Sequence, residues 1–142
     1  MDWKSKYFSL EELTASATAR RMGIDNQPPR MMVENLQQLV TYVLDPLREA
    51  WQQPIIVTSG YRCPLLNTAV GGATLSNHLT GCAVDIRCIG IEQALRYAAI
   101  LLDISDLNNE DFDELLIEQK AHLIWIHFAV RPFGNRRRTC ST

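Results

Sequence analysis

The sequence predicts a single α+β domain, a small sheet with flanking helices, and two observations carry that prediction. Apolar residues recur at helical spacing through the first third of the chain and again over 91–104, while β-branched or alternating runs stand at 55–57, 83–87 and 123–130. A chain of 142 residues with 46% hydrophobic content can bury one substantial core and is too short for two. The domain spans 1–142, with a helical scaffold over 1–50 and a second part over 54–131 that gathers the chemically interesting polar residues.

Ser9 followed by Glu12 fits a capping box opening a short helix that carries Leu10, Leu13 and Ala17 and ends near Gly23. A break follows at Asn26-Gln27-Pro28-Pro29. The two prolines suit the entry to a longer helix in which Met32, Leu36, Leu39, Val40, Val43, Leu44 and Leu47 recur, and Pro46 interrupts or kinks it near its end. Pro54 marks the change to strand character. Ile55, Ile56 and Val57 lead into Thr58-Ser59-Gly60-Tyr61-Arg62, after which Pro64 forbids a regular continuation. A glycine-bearing loop comes next, with Gly71 and Gly72 before Ser76 and His78, and Gly81 before the following strand.

On the stretch Ala83-Val84-Asp85-Ile86-Arg87, alternation sends Val84 and Ile86 inward and Ala83, Asp85 and Arg87 to the other side. Ile91, Ala94, Leu95, Ala98, Leu101 and Leu102 then mark a helix, and the acidic run 106–114 begins as a loop. The last apolar run, over 123–130, reads as a strand ended by Pro132 and Gly134. One face takes Ile124, Ile126, Phe128 and Val130, the other Trp125, His127 and Ala129. Asp85 and His127 therefore both lie on the less apolar face of their strands.

Composition excludes several classes of function. A formal net charge of -2 gives no overall basic field of the kind nucleic-acid binding needs, although Arg136, Arg137 and Arg138 form a local cluster that reads as a solvated tail or as a contact for an anionic polymer or phosphate. Residues 1–7 lack the pattern of a secretory signal, and no apolar stretch reaches membrane-spanning length, so the expected product is soluble and made in the cytoplasm. Cys63, Cys82, Cys88 and Cys140 show no paired close spacing of a zinc ribbon and are expected as free, mostly buried thiols. Nothing in the chain bears on its oligomeric state.

The chemistry concentrates in Ser76-Asn77-His78, Gly81 and Asp85, with His127 in a separate strand. Two imidazoles and one carboxylate are a ligand set that leaves a zinc ion one open position for water. His78, Asp85 and His127 supply that set if the two strands are neighbours in one sheet. Taken singly, each residue has an ordinary account as a hydrogen-bonded histidine or a turn-capping aspartate.

Thr58-Ser59-Gly60-Tyr61-Arg62, Leu66-Asn67, Ala69-Val70-Gly71-Gly72, Ser76-Asn77-His78, Gly81, Ala83, Asp85 and Trp125-Ile126-His127 together resemble the M15 peptidases. Those are zinc D-Ala-D-Ala carboxypeptidases and phage L-alanyl-D-glutamate endopeptidases that cut peptidoglycan stem peptides. The likeness extends to Phe8-Ser9-Leu10-Glu11-Glu12-Leu13 and Gly23-Ile24-Asp25-Asn26. It implies a small antiparallel sheet with flanking helices, of the hedgehog/DD-peptidase-like type, and a Zn²⁺ held by His78, Asp85 and His127. Arg62 matches an arginine facing the scissile carbonyl, and Ser76 a serine near the substrate; structural hydrogen bonding and turn formation are the plain accounts of the two.

The general base departs from the commoner pattern. Many relatives place an acid three residues before the last histidine ligand, a position held here by Ile124. In a closer subgroup the acid follows a segment resembling Phe112-Asp113-Glu114-Leu115-Leu116-Ile117, which points to Glu118, with Glu114 and His122 as alternatives. For Glu118 to serve, a hairpin must bring it back beside His127. The expected function is hydrolysis of D-amino-acid-containing stem peptides by a zinc metallopeptidase. The alternative is an inactive cell-wall peptide-binding module that keeps the metal site. An enzyme of this kind without a signal fits a phage or prophage lysis protein, released to the wall by a separate pore-former.

Overall fold

The computed structural model describes residues 2–139. In chain order it has α1 (Leu10–Thr14), α2 (Ala17–Met22), α3 (Arg30–Leu39), a π-helical turn (Val40–Leu44), α4 (Asp45–Trp51), β1 (Val57–Ser59), α5 (Pro64–Ala69), a 3₁₀ turn (Asn77–Thr80), β2 (Ala83–Cys88), α6 (Gly90–Asn108), β3 (Glu114–Lys120) and β4 (Leu123–Ala129). The four strands form one antiparallel sheet in the order β1-β2-β4-β3. This is the α+β arrangement that the mixed periodicities predict.

Several local features differ from the sequence reading, each for a definable reason. The first helix is two, because Ser16 takes extended backbone angles and its side chain accepts from the Ala19 N–H, starting α2 with its own cap. Pro46 does not break the long helix. The chain widens into the π-turn just before it, where the Asp45 N–H reaches back to the Val40 carbonyl, and the Tyr42 carbonyl accepts from Asn108 Nδ2 at 3.1 Å. The segment after Cys63 is helical, with Pro64 at the first turn, where its missing N–H costs nothing. The acidic run begins inside α6 rather than as a loop, since the helix continues to Asn108, where Asn109 caps it at φ 53 and the irregular stretch to β3 starts.

The core lies on one face of the sheet. Val84 and Ile86 of β2, Ile126 and Phe128 of β4 and Leu115 of β3 meet Leu36, Leu39, Val43, Leu44 and Leu47 from α3 to α4, with Tyr97 and Leu101 from α6. Each fully buried leucine here contributes about 1.5–3 kcal/mol of transfer free energy. The alternation that sends these residues inward aims Asp85, Trp125 and His127 at the opposite face, against which the 3₁₀ turn packs at β2. Gly60 lets α1 pack against the end of β1: a Cβ there would stand 2.2 Å from the Leu13 carbonyl oxygen, and the Tyr61 N–H donates to the same oxygen at 2.9 Å.

Candidate metal centre

Cross-strand register creates the site. Asp85 of β2 lies directly opposite His127 of β4, and Leu116 of β3 lies opposite His127 on its other side. The 3₁₀ turn delivers His78 to the same face, held by Ser76, whose hydroxyl accepts from the His78 N–H at 3.1 Å. One ligand atom from each of His78, Asp85 and His127 lies within 4.8 Å of the others, and all three side chains are buried. Asp85 Oδ1 is the hub, 3.2 Å from His78 Nε2 and 3.0 Å from His127 Nδ1.

The far nitrogens decide what these near nitrogens can do. His78 Nδ1 is 2.6 Å from the Gly60 carbonyl, which can only accept, so Nδ1 carries a proton and Nε2 is the nitrogen turned toward Asp85. His127 Nε2 is 2.9 Å from Glu114 Oε1, again an acceptor. Both inner nitrogens rest on Asp85 Oδ1, to which protonated rings donate; with those inner protons displaced, two imidazole lone pairs and a carboxylate oxygen face one point. That donor set fits a small divalent cation of zinc type.

Burial and neighbouring charge act on these groups in opposite directions. Burial pushes the Asp85 carboxyl up, but the two facing imidazoles outweigh burial and hold it well below the usual carboxylate range. Burial likewise pulls His127 down, and the carboxylates of Asp85 and Glu114 on either side more than reverse it.

Arg62 stands beside the hub. Its Nε donates to Ser59 Oγ at 3.1 Å and its Nη1 to Asn67 Oδ1 at 2.9 Å, while Nη2 lies 3.5 Å from Asp85 Oδ2. Burial lowers its pKa, opposed by the negative charges of Asp85 and Glu118. The backbone at Gly72 makes room for this clamp, since a Cβ there would come within 2.1 Å of Asn67 Oδ1 and 2.6 Å of Arg62 Nη1. A cleft of about 370 Å³ opens beside it, lined by Arg62, Asp85, Thr58, Tyr61, Trp125 and the α1–α2 junction.

The three alternatives for a base separate clearly in space. Glu118 is half-buried and opposite Trp125, on the face that carries His127, so the hairpin that the sequence reading requires is present as a two-residue turn at Ala121-His122. Glu114 is buried, with Oε1 on His127 and Asn77 and Oε2 on Arg138, which leaves it no free oxygen for proton traffic. His122 is exposed at the tip of the turn, one residue beyond the strands. Ile124, as alternation dictates, faces away from the site.

The cysteines stay out of it. Cys88 is buried on the core side of β2, Cys82 is buried before that strand, and both thiols, like that of Cys63, are free; Cys140 lies outside the described residues. The basic cluster is not a solvated tail. Arg136 pairs with Asp113, Arg137 with Asp111 and Arg138 with Glu114, at 2.7, 2.6 and 3.0 Å.

Sequence reasoning named Asn67, Asn77 and Asp113 only as members of motifs, without a role of their own, and read Arg138 as part of a tail or an anion contact. Asn77 donates to both Asp113 and Glu114 and accepts from Arg131 Nε at 3.0 Å. The signal for it was adjacency to His78, too general to use alone. Among known proteins, residues 6–127 match the family described as Peptidase M15. No curated protein sequence matches the chain.

Proposed function

The chain belongs to the M15 peptidase family, and from that premise we propose that it is a zinc-dependent peptidase hydrolysing peptidoglycan stem peptides next to a D-amino acid. The observation that carries the metal part of this reading is the convergence of His78 Nε2, Asp85 Oδ1 and His127 Nδ1 at the edge of a cleft. The family supports the peptidase part and points to the substrate class.

His78, Asp85 and His127 would hold the ion and leave one position open. When bound, zinc supplies Lewis acidity that polarises a carbonyl and makes water a competent nucleophile near neutral pH. Glu118, on the same face, takes the proton released as water adds to the scissile carbonyl carbon and passes it to the leaving amine as the C–N bond breaks. Arg62, pre-clamped by Ser59 and Asn67, offsets the negative charge gathering on the carbonyl oxygen without reorganising. The Ser76 hydroxyl accepts from the main chain, so its own proton is available to a substrate carbonyl. Trp125 forms a wall of the cleft.

Among the described residues, no helix is long and apolar enough to cross a membrane. Release through a separate pore, as in phage or prophage lysis, would bring such a protein to the wall.

Mass spectrometry of the products from defined stem peptides tests the reading. The expected result is one new cut beside a D-residue, lost on chelation and restored by zinc. Binding of muropeptides without any cleavage by the zinc-loaded protein would instead establish the inactive binding module.

A further inference from the structure

The acidic and arginine residues around His127 are more organised than a three-ligand metal site requires. Residues 136–138 run beside the start of β3: the Arg138 N–H donates to the Asp113 carbonyl, the Leu115 N–H donates to the Arg138 carbonyl, both at 2.8 Å, and Glu114 and Arg138 form an isolated parallel bridge. This strap lies beyond the family-matched span, which ends at His127. It places the Arg138 guanidinium 3.0 Å from Glu114 Oε2, while Asn77 Nδ2 donates to Oε1 at 2.8 Å. Asn77 is itself gripped by Asp113 at 2.7 Å and by Arg131 at 3.0 Å. The Glu114 carboxylate therefore has fixed partners on both oxygens, and Oε1 points at His127 Nε2 from 2.9 Å.

We propose that Glu114, seated by Arg138 and Asn77, is the positioning residue for His127: it accepts the Nε2 proton and so presents Nδ1, bare, to the point shared with His78 and Asp85. An imidazole has two possible ligating nitrogens, and a ring free to turn would offer either. An ionised carboxylate on Nε2 fixes the tautomer, locks the ring plane and raises the basicity of the ligating nitrogen. Glu114 does this from β3, a strand that provides no direct ligand to the set. The assignment takes Glu114 out of the list of proton shuttles and leaves that work to Glu118.

The inference rests on the metal-site reading, and its test is kept separate from turnover. In the zinc-loaded wild-type protein, long-range ¹H–¹⁵N spectra should show His127 protonated at Nε2 and metal-bound at Nδ1. Zinc titration against a chelating chromophore should show that Glu114→Ala binds the ion about 10- to 100-fold more weakly than wild type, the range for loss of an outer partner of a metal-bound histidine, while its backbone amide spectrum stays native. Metal on Nε2 in the wild type, or zinc affinity within twofold of wild type in Glu114→Ala, overturns the proposal. The spectra of the wild type decide the matter even if the variant does not fold. If the wild type takes up no zinc at all, the peptidase reading fails first; if it binds zinc and cleaves peptide but ligates through Nε2, only the role of Glu114 fails.

Discussion

His78 and His127 face the same carboxylate oxygen, yet the protein holds them by different means. His78 is anchored from the main chain, through the Gly60 carbonyl on its outer nitrogen and a 3₁₀ turn that carries the residue itself. His127 is anchored from side chains, through Glu114 and the network of Asn77, Asp113 and three arginines behind it. A main-chain anchor survives nearly every substitution except one that moves the backbone. A side-chain anchor can be tuned residue by residue, and its strength changes with charge. The site thus has one rigid arm and one adjustable arm meeting at Asp85.

The largest expected effect falls on neither arm, and it sharpens the comparison by separating chemistry from ligand geometry. Glu118→Gln should lower kcat by about 10²- to 10⁴-fold, the usual worth of a positioned acid–base group, while zinc affinity stays at the wild-type value. Steady-state kinetics beside a chelator competition would read both, and full turnover in the variant would remove Glu118 from the mechanism. Gly60→Ala attacks the rigid arm. With a Cβ only 2.2 Å from the Leu13 carbonyl oxygen, the backbone must shift and carry the His78 anchor with it. Thermal denaturation of the zinc-free variant should show a loss of about 1–3 kcal/mol, together with weaker zinc binding. Unchanged stability and affinity would break the comparison on that side.

The smallest effect probes the adjustable arm through acid. Burial raises the Asp113 carboxyl, but Arg136, Asn77 and Arg131 overcome it and bring its pKa down to about 2. A carboxylate depressed in the folded state stabilises the fold fully above its unfolded pKa of about 3.9 and ceases to do so as pH falls through the folded value. Asp113→Asn should therefore cost about 1–2 kcal/mol near neutrality, with the gap to wild type closing between pH 4 and pH 2. Urea unfolding across that range measures it. A constant gap at every pH would show that Asp113 acts by packing rather than by charge.

How much of this was legible in the sequence depends on the range of the contacts involved. Strict alternation around Asp85 and His127 revealed which face each would take, because strand period is a local property. The convergence of Asp85 and His127 with His78 followed once those strands became neighbours. The β3–β4 hairpin was hard to see for a local reason: its turn is Ala121-His122, with Ala121 at φ 56 and none of the Asn-Gly or Asp-Gly chemistry that marks such turns. Pro46 misled in a similar way, since proline is harmless after a widened turn; Pro64 did end the strand character, but the short helix it opens was read as loop. The network behind Glu114 was invisible for the opposite reason. Its partners His127, Arg138 and Asn77 lie 13, 24 and 37 residues away, and no periodicity links them. Three consecutive arginines looked like a tail because charge runs usually are solvated, and only the fold shows the acids they meet.

Anomalous diffraction at the zinc edge from crystals of the zinc-loaded protein tests the central claim most directly. One strong peak within bonding distance of His78 Nε2, Asp85 and His127 Nδ1 is the result expected. Crystals saturated with zinc that show no peak among those three side chains, or a peak elsewhere alone, would contradict it.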